Sequence, residues 1–196
     1  MTKIIGLTGG IGSGKTTIGK YFQSLGIPVY MVDDEGRKIS ESEEVLFQIK
    51  SHFGQEIVAD GKLNRKKLSE IVFSDPKQLE ILNGIIHPAV KKHFDEWVSQ
   101  RQDYPFVIRE SAILFESGRH VDCDLIITVT APEEQRIARV MQRDGVTKEA
   151  VSNRIKNQMS DEDKISKSDF VIHNTNLQEA EKQAAKIFKK LSIIQN

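Results

Sequence analysis

Glycine recurs at four of the first six positions of Gly9-Gly10-Ile11-Gly12-Ser13-Gly14-Lys15-Thr16, and this run stands between two segments of opposite character. Before it, Lys3-Ile4-Ile5-Gly6-Leu7-Thr8 reads as a buried strand; after it, Ile18, Tyr21, Phe22 and Leu25 recur at helical spacing until Gly26 ends the pattern. Strand, glycine turn and helix in that order leave little choice of local fold. The glycines let successive backbone N–H groups turn inward into a concave nest, and the positive end of the following helix reinforces it as an anion site. The run has the form G-x-x-x-x-G-K-[ST], in which Lys15 reaches the β- and γ-phosphates of a nucleoside triphosphate and Thr16 supplies a hydroxyl ligand to Mg2+. Gly10, Ile11, Gly12, Ser13, Gly14, Lys15, Thr16 and Thr17 are therefore the expected nucleotide-binding residues.

Composition narrows what such a site serves. Lys and Arg total 28 and Asp and Glu total 28, so no overall basic field draws the protein to nucleic acid or an anionic membrane, and phosphate recognition has to be local. The single cysteine, Cys123, excludes an internal disulfide and a cysteine-based zinc site and is expected to pack in the core. No apolar run reaches bilayer length and no charged leader precedes the first strand, so the expectation is a soluble cytoplasmic protein whose oligomeric state is open, a monomer being compatible.

Apolar runs at Ile4–Leu7, Ile27–Val32, Phe106–Ile108, Leu125–Val129 and Phe170–Ile172 predict five strands of a parallel sheet with helices on both faces. A last helix carries Leu177, Ala180, Ala184, Ile187 and Leu191 as its sheet-facing stripe. Roughly seventy residues separate the second and third strands, far more than a crossover helix needs, and they read as a helical insert. One insert helix carries Val45, Ile49 and Phe53, another starts near Asn64, a third at Asp75-Pro76, and a fourth is expected to begin at Pro88. After the fourth strand a helical hairpin places Arg136, Arg139 and Arg143 on one face, with Arg154 and Gln158 on its second helix, and resembles a lid.

Kinases, switches and motors share such a phosphate loop, so other residues must decide among them. Asp33 follows the second strand at the carboxyl end, where open parallel sheets place ligands and where a carboxylate could take the proton of an attacking hydroxyl. Arginines on a lid suit the charge on a moving phosphoryl group and the exclusion of water, which favours transfer to an acceptor over hydrolysis. Ser166-Lys167-Ser168-Asp169 imitates the base-reading element of guanine-nucleotide switches, but it precedes an apolar run instead of following one, and its first residue is wrong. A nucleotide-sensing module without chemistry stays open at this point.

The motifs together resemble those of the dephospho-coenzyme A kinase family. They are Leu7–Lys15, Val32-Asp33, Asp60-Gly61-Lys62-Leu63-Asn64-Arg65, Ile86-His87-Pro88, Leu114-Phe115-Glu116, Gln142-Arg143, Arg154, Gln158 and Asn174. The resemblance implies an α/β P-loop NTPase fold with a nucleotide-binding core of residues 1–33 and 105–196, a lid near 135–160 within it, and a CoA-binding helical insert at 34–104. It implies ATP-dependent, Mg2+-assisted phosphorylation of the ribose 3′-hydroxyl of dephospho-CoA, the last step of coenzyme A biosynthesis; another P-loop small-molecule kinase is the alternative. By the same resemblance Asp33 is the general base, Lys15 and Arg143 assist transfer, Arg136 and Arg139 join Arg143 on the lid, Thr16 binds the metal, and Arg65, His87 and Glu116 contact the acceptor together with Asp33. The chain departs from the family at Asp33-Asp34-Glu35, where Asp-Ala-Asp is usual, and at Ser111–Glu116, which lacks the usual proline. Arg109 and Glu110 put charge into the third strand and are expected to mark its exposed end, so no second acid for the metal is identified.

Overall fold

The computed structural model of the protein describes residues 2–59 and 61–193, so Asp60 of the Asp60–Arg65 run lies outside the described residues. Two compact units divide the chain, one of residues up to Met31 together with those from Arg101, the other Val32–Gln100. The sequence-based boundaries, after 33 and before 105, differ from these by a few residues, and Asp33 falls in the second unit. Along the chain come β1 (Lys3–Thr8), α1 (Lys15–Ser24) and β2 (Val29–Met31). The second unit holds α2 (Val32–Ile39), α3 (Glu43–Phe53), the short pair β3 (Val58–Ala59) and β4 (Lys62–Leu63), α4 (Arg65–Ser74) and α5 (Pro76–Ser99). The first unit resumes with β5 (Phe106–Glu110), β6 (Leu125–Thr130), α6 (Glu133–Asp144), α7 (Lys148–Lys156), α8 (Asp161–Ser166), β7 (Phe170–His173) and α9 (Leu177–Ile193).

All five expected strands form, in one parallel sheet ordered β2-β5-β1-β6-β7. β1 lies at the centre, with Ile5 opposite Ile108 on one side and Leu125 on the other. Strands covered on both faces carry apolar residues without alternation, which is why these runs were legible. On one face Ile5, Leu7, Ile127 and Val129 pack with Ile18 and Phe22 of α1 and with Ala180, Ala184, Ile187 and Leu191 of α9. Leu177, counted in that stripe from its spacing, is 45% exposed because it opens the helix. On the other face Ile126 packs with Leu114, Phe115 and Cys123, and Thr128 shares a 2.7 Å hydrogen bond with Ser168 just beyond α8. A parallel sheet with a glycine loop joining its central strand to the first helix is the P-loop NTPase fold. Cys123 packs, partly buried, against the cluster of Leu114, Phe115 and Ile126, and burial pushes its thiol up to about 11, so it stays protonated at neutral pH.

Three expectations need correction. The second strand ends at Met31, and Val32 already opens α2, whose first turn carries Asp33, Asp34 and Glu35 at the positive end of the helix dipole. Arg109 and Glu110 are not an exposed strand end: they are 4% and 2% exposed in an interior strand, Arg109 standing between Gly6 and Tyr30 and Glu110 between Leu7 and Met31, with the Arg109 guanidinium against Asp122 and the Glu110 carboxylate against Lys15. Pro88 does not start a helix. It lies inside the 24-residue α5, which runs from the Asp75 cap straight through it. A proline there lacks the N–H for the Gly84 carbonyl and crowds it. The continuous burial of Leu82, Val90 and Phe94 carries the helix past that defect. The β3–β4 pair was not anticipated, since two residues per strand are too few for alternation to register.

Because Pro88 is exposed and its ring opposes the helix that surrounds it, Pro88→Ala is expected to raise stability by about 1–3 kcal/mol, read as a higher urea midpoint at unchanged slope. An unchanged or lower midpoint would show that the ring is held by contacts the helix needs.

Candidate active site

The phosphate loop is held from outside by its carbonyls. The buried Asn174, at the end of β7, donates its side-chain N–H to the Ser13 carbonyl (2.8 Å). Arg139 of α6 donates to the Gly12 carbonyl (3.4 Å) and to the main-chain oxygen of Asn174 (2.8 Å). Within the loop, Ser13 N–H closes a turn on the Gly10 carbonyl (3.1 Å). Gly12 and Gly14 take φ of +79° and +91°, a region closed to most side chains, and each also meets a close neighbour. A Cβ on Gly12 would strike the main-chain oxygen of Arg136, and one on Gly14 the Asn174 amide. With carbonyls tied outward and the first N–H groups of α1 lacking intrahelical acceptors, the loop meets the requirement for an anion cradle.

Lys15 and Thr16 open α1 and converge on one carboxylate that the sequence reading placed in solvent. Glu110 Oε1 lies 3.7 Å from Lys15 Nζ and 3.5 Å from the Thr16 hydroxyl. The register explains it, since Glu110 stands beside Leu7 near the C-terminal end of β1, where the loop begins. An alcohol and a buried carboxylate side by side are two hard oxygen donors and suit Mg2+, which keeps waters and takes its remaining ligands from phosphates. Among the described residues no group of three or more His, Cys, Asp or Glu could form an all-protein metal cage. Thr17 is exposed on the first turn of α1, and the buried Ser13 hydroxyl has no hydrogen-bond partner.

The three arginines of α6 do not act as one cluster. Arg136 is 6% exposed and pairs with Asp161 (3.1 Å), which also accepts a hydrogen bond from the Thr130 hydroxyl. Arg139 holds the loop as described. Arg143, at the exposed end of the helix, makes a two-point contact with Asp144 (2.6 and 3.0 Å), which holds its guanidinium above its ordinary value, and Asp144 also receives Arg154 (3.2 Å). Arg136 and Gln158 line a cavity of about 540 Å3 between the ends of β6 and β7 and the start of α8.

Glu116 is engaged internally. Its Oε1 accepts from Met159 N–H (2.9 Å) and from the fully buried Lys164 (3.0 Å). Burial opposes its ionisation, yet these bonds outweigh burial and hold the carboxyl below the usual glutamate range. In the second unit, Asp33 is exposed in the first turn of α2, two residues along the chain from Met31. Arg65 opens α4 and donates to the Arg37 carbonyl (2.9 Å) and to Glu41 (2.9 Å), and His87 is exposed on α5. Sequence reasoning missed Glu110, Asp161 and Lys164. Only Glu110 left a signal, an acid that closes a strand opened by the apolar run Phe106-Val107-Ile108.

Comparisons with known proteins bear on the family and the fold. The sequence profile of dephospho-CoA kinase matches residues 3–179. A dephospho-CoA kinase of Fusobacterium nucleatum is 42% identical over 190 residues, 96% of this chain and 94% of the relative. Among solved structures, TT1252 from Thermus thermophilus superposes with a TM-score of 0.88 at 36% identity, over 96% of this chain and 97% of that one. The dephospho-CoA kinase from Campylobacter jejuni gives 0.73 at 29% identity, over 98% of each. No described helix is long and apolar enough to cross a membrane. Similarity at this level, running through both compact units and through the glycine loop, is that of common descent, and the chain belongs to the dephospho-CoA kinase family.

Proposed function

We propose that the protein transfers the γ-phosphoryl group of ATP to the ribose 3′-hydroxyl of dephospho-CoA, giving coenzyme A and ADP. The convergence of Lys15 and Thr16 on the buried Glu110, at the mouth of a glycine cradle, is the observation that carries it. Family membership supplies the acceptor. In this reading the loop N–H groups and Lys15 bind the triphosphate, and most of the rate comes from positioning and charge stabilisation. Mg2+, held by the Thr16 hydroxyl with Glu110 behind it, would neutralise charge on the β- and γ-phosphates when bound.

Asp33 takes the proton of the 3′-hydroxyl as the oxygen attacks phosphorus. Its carboxylate is exposed in the first turn of α2, two residues along the chain from Met31 at the end of β2, where an acceptor hydroxyl can reach it. Residues 34–104 receive the CoA moiety, with Arg65 and His87 among the acceptor contacts. The α6–α7 hairpin is the lid, and Arg143 is the arginine that can exchange Asp144 for the moving phosphoryl group, because its partner is an exposed neighbour where those of Arg136 and Arg139 are internal.

Turnover of ATP with dephospho-CoA, set beside adenosine, shikimate and nucleoside monophosphates, tests the assignment; activity confined to another acceptor would make this a different small-molecule kinase. Asp33→Asn is expected to cut kcat by about 100-fold or more while KM for ATP stays within about twofold, and near-normal turnover removes Asp33 as the base. Lys15→Ala is expected to weaken Mg-ATP binding by about tenfold or more in calorimetry and to lower kcat as well.

A further inference from the structure

Ile11, at the crest of the phosphate loop, is fastened twice. Its N–H donates to Gln158 Oε1 (2.8 Å), and its side chain packs against Ile137, Val140 and Val151, the apolar core of the α6–α7 hairpin. Gln158 belongs to the short link between α7 and α8, outside the phosphate loop and 147 residues away in sequence. That link is fixed by the next residue: Met159 N–H donates to Glu116 Oε1 (2.9 Å), and the same oxygen receives Lys164 (3.0 Å). Lys164 also reaches the Ala112 carbonyl (3.3 Å), so the stretch after β5 and the start of α8 are bound to one another through a fully buried ammonium. From Glu116 through Met159 to Gln158 and Ile11, every connection is a hydrogen bond or a peptide bond.

We propose that Gln158 is a positioning residue that sets the crest of the phosphate loop, and that Glu116 serves the same end by anchoring Met159 instead of touching the acceptor. The proposal rests on the reading that the loop receives the triphosphate. An unheld crest is free to rotate the Ile11 peptide and misplace the N–H groups that follow it, and misplacement of that size is costly in a reaction driven by geometry. A neutral hydrogen bond contributes modestly, which translates to a loss of about tenfold at most in the step it serves. The loss belongs to the ATP side of the reaction, since no atom of this chain of contacts lies in the unit assigned to the acceptor.

Gln158→Met keeps length and packing while removing the acceptor for Ile11 N–H. Steady-state kinetics with both substrates, calorimetry with Mg-ATP and thermal melting of Gln158→Met, Glu116→Gln and the double variant decide the matter. The expected result is a fall in kcat/KM for ATP of about tenfold in Gln158→Met with KM for dephospho-CoA unchanged. Glu116→Gln is expected to lower the same parameter, and the double variant to fall no further than the worse single one. Wild-type kinetics in Gln158→Met overturn the proposal, as does a Glu116→Gln variant that raises KM for dephospho-CoA and spares the ATP parameters, which would make Glu116 an acceptor contact. Glu116→Gln leaves Lys164 short of a carboxylate; should it melt too early to assay, Gln158→Met alone decides. Failure of the unaltered protein to bind Mg-ATP would sink the reading of the loop itself, a result the variants cannot imitate.

Discussion

An anion cradle made of main-chain amides works only if the carbonyls of the same residues are turned elsewhere and kept there. In this protein the Ser13 carbonyl is held by Asn174 and the Gly12 carbonyl by Arg139, and both donors come from the far side of the sheet order, from β7 and from the helix after β6. The rest of the first unit is arranged to bring them. β1, β6 and β7 lie side by side, so the loop after β1, the start of α6 and the residue after β7 meet at one end of the sheet. Glycine at 12 and 14 is the other half of that constraint, because the backbone of α6 and the Asn174 amide occupy the space a side chain would fill.

Electrostatics at the loop follow from the same packing. The Lys15 ammonium and the Thr16 hydroxyl lie within 4 Å of the Glu110 carboxylate, and Lys15 compensates that buried charge. A buried carboxylate without such a partner would cost several kcal/mol. Glu116 and Lys164 repeat the arrangement where it serves support: a fully buried ammonium, a carboxylate held ionised, and the link to the phosphate loop between them.

The arginines of α6 show how far periodicity reaches. Spacing correctly put Arg136, Arg139 and Arg143 on one side of a helix, yet the helix crosses three environments in that distance. One guanidinium is buried against Asp161, the next braces the loop, and the last lies at the surface with Asp144. Pro88 is the converse case. A local rule about proline argued for a helix start, and a continuous buried stripe on α5 overrode it. Arg109 and Glu110 were misread for a related reason: charge argues for solvent, but this strand lies inside a sheet covered on both faces, and its acid finds Lys15 instead.

What the sequence by itself determined is whatever depends on neighbours a few residues apart. The glycine spacing of the phosphate loop, the apolar runs of the five strands, the stripe on α9, the Asn64 and Asp75 caps and the family's motifs are all of that kind. What only the tertiary structure decided are pairings set by strand register and helix packing across long stretches of chain. Glu110 lies 94 residues from Thr16, and Gln158 lies 147 from Ile11. A hydrogen bond is selected by distance in space, and a local pattern in the chain holds no record of which distant residue the fold will set beside it.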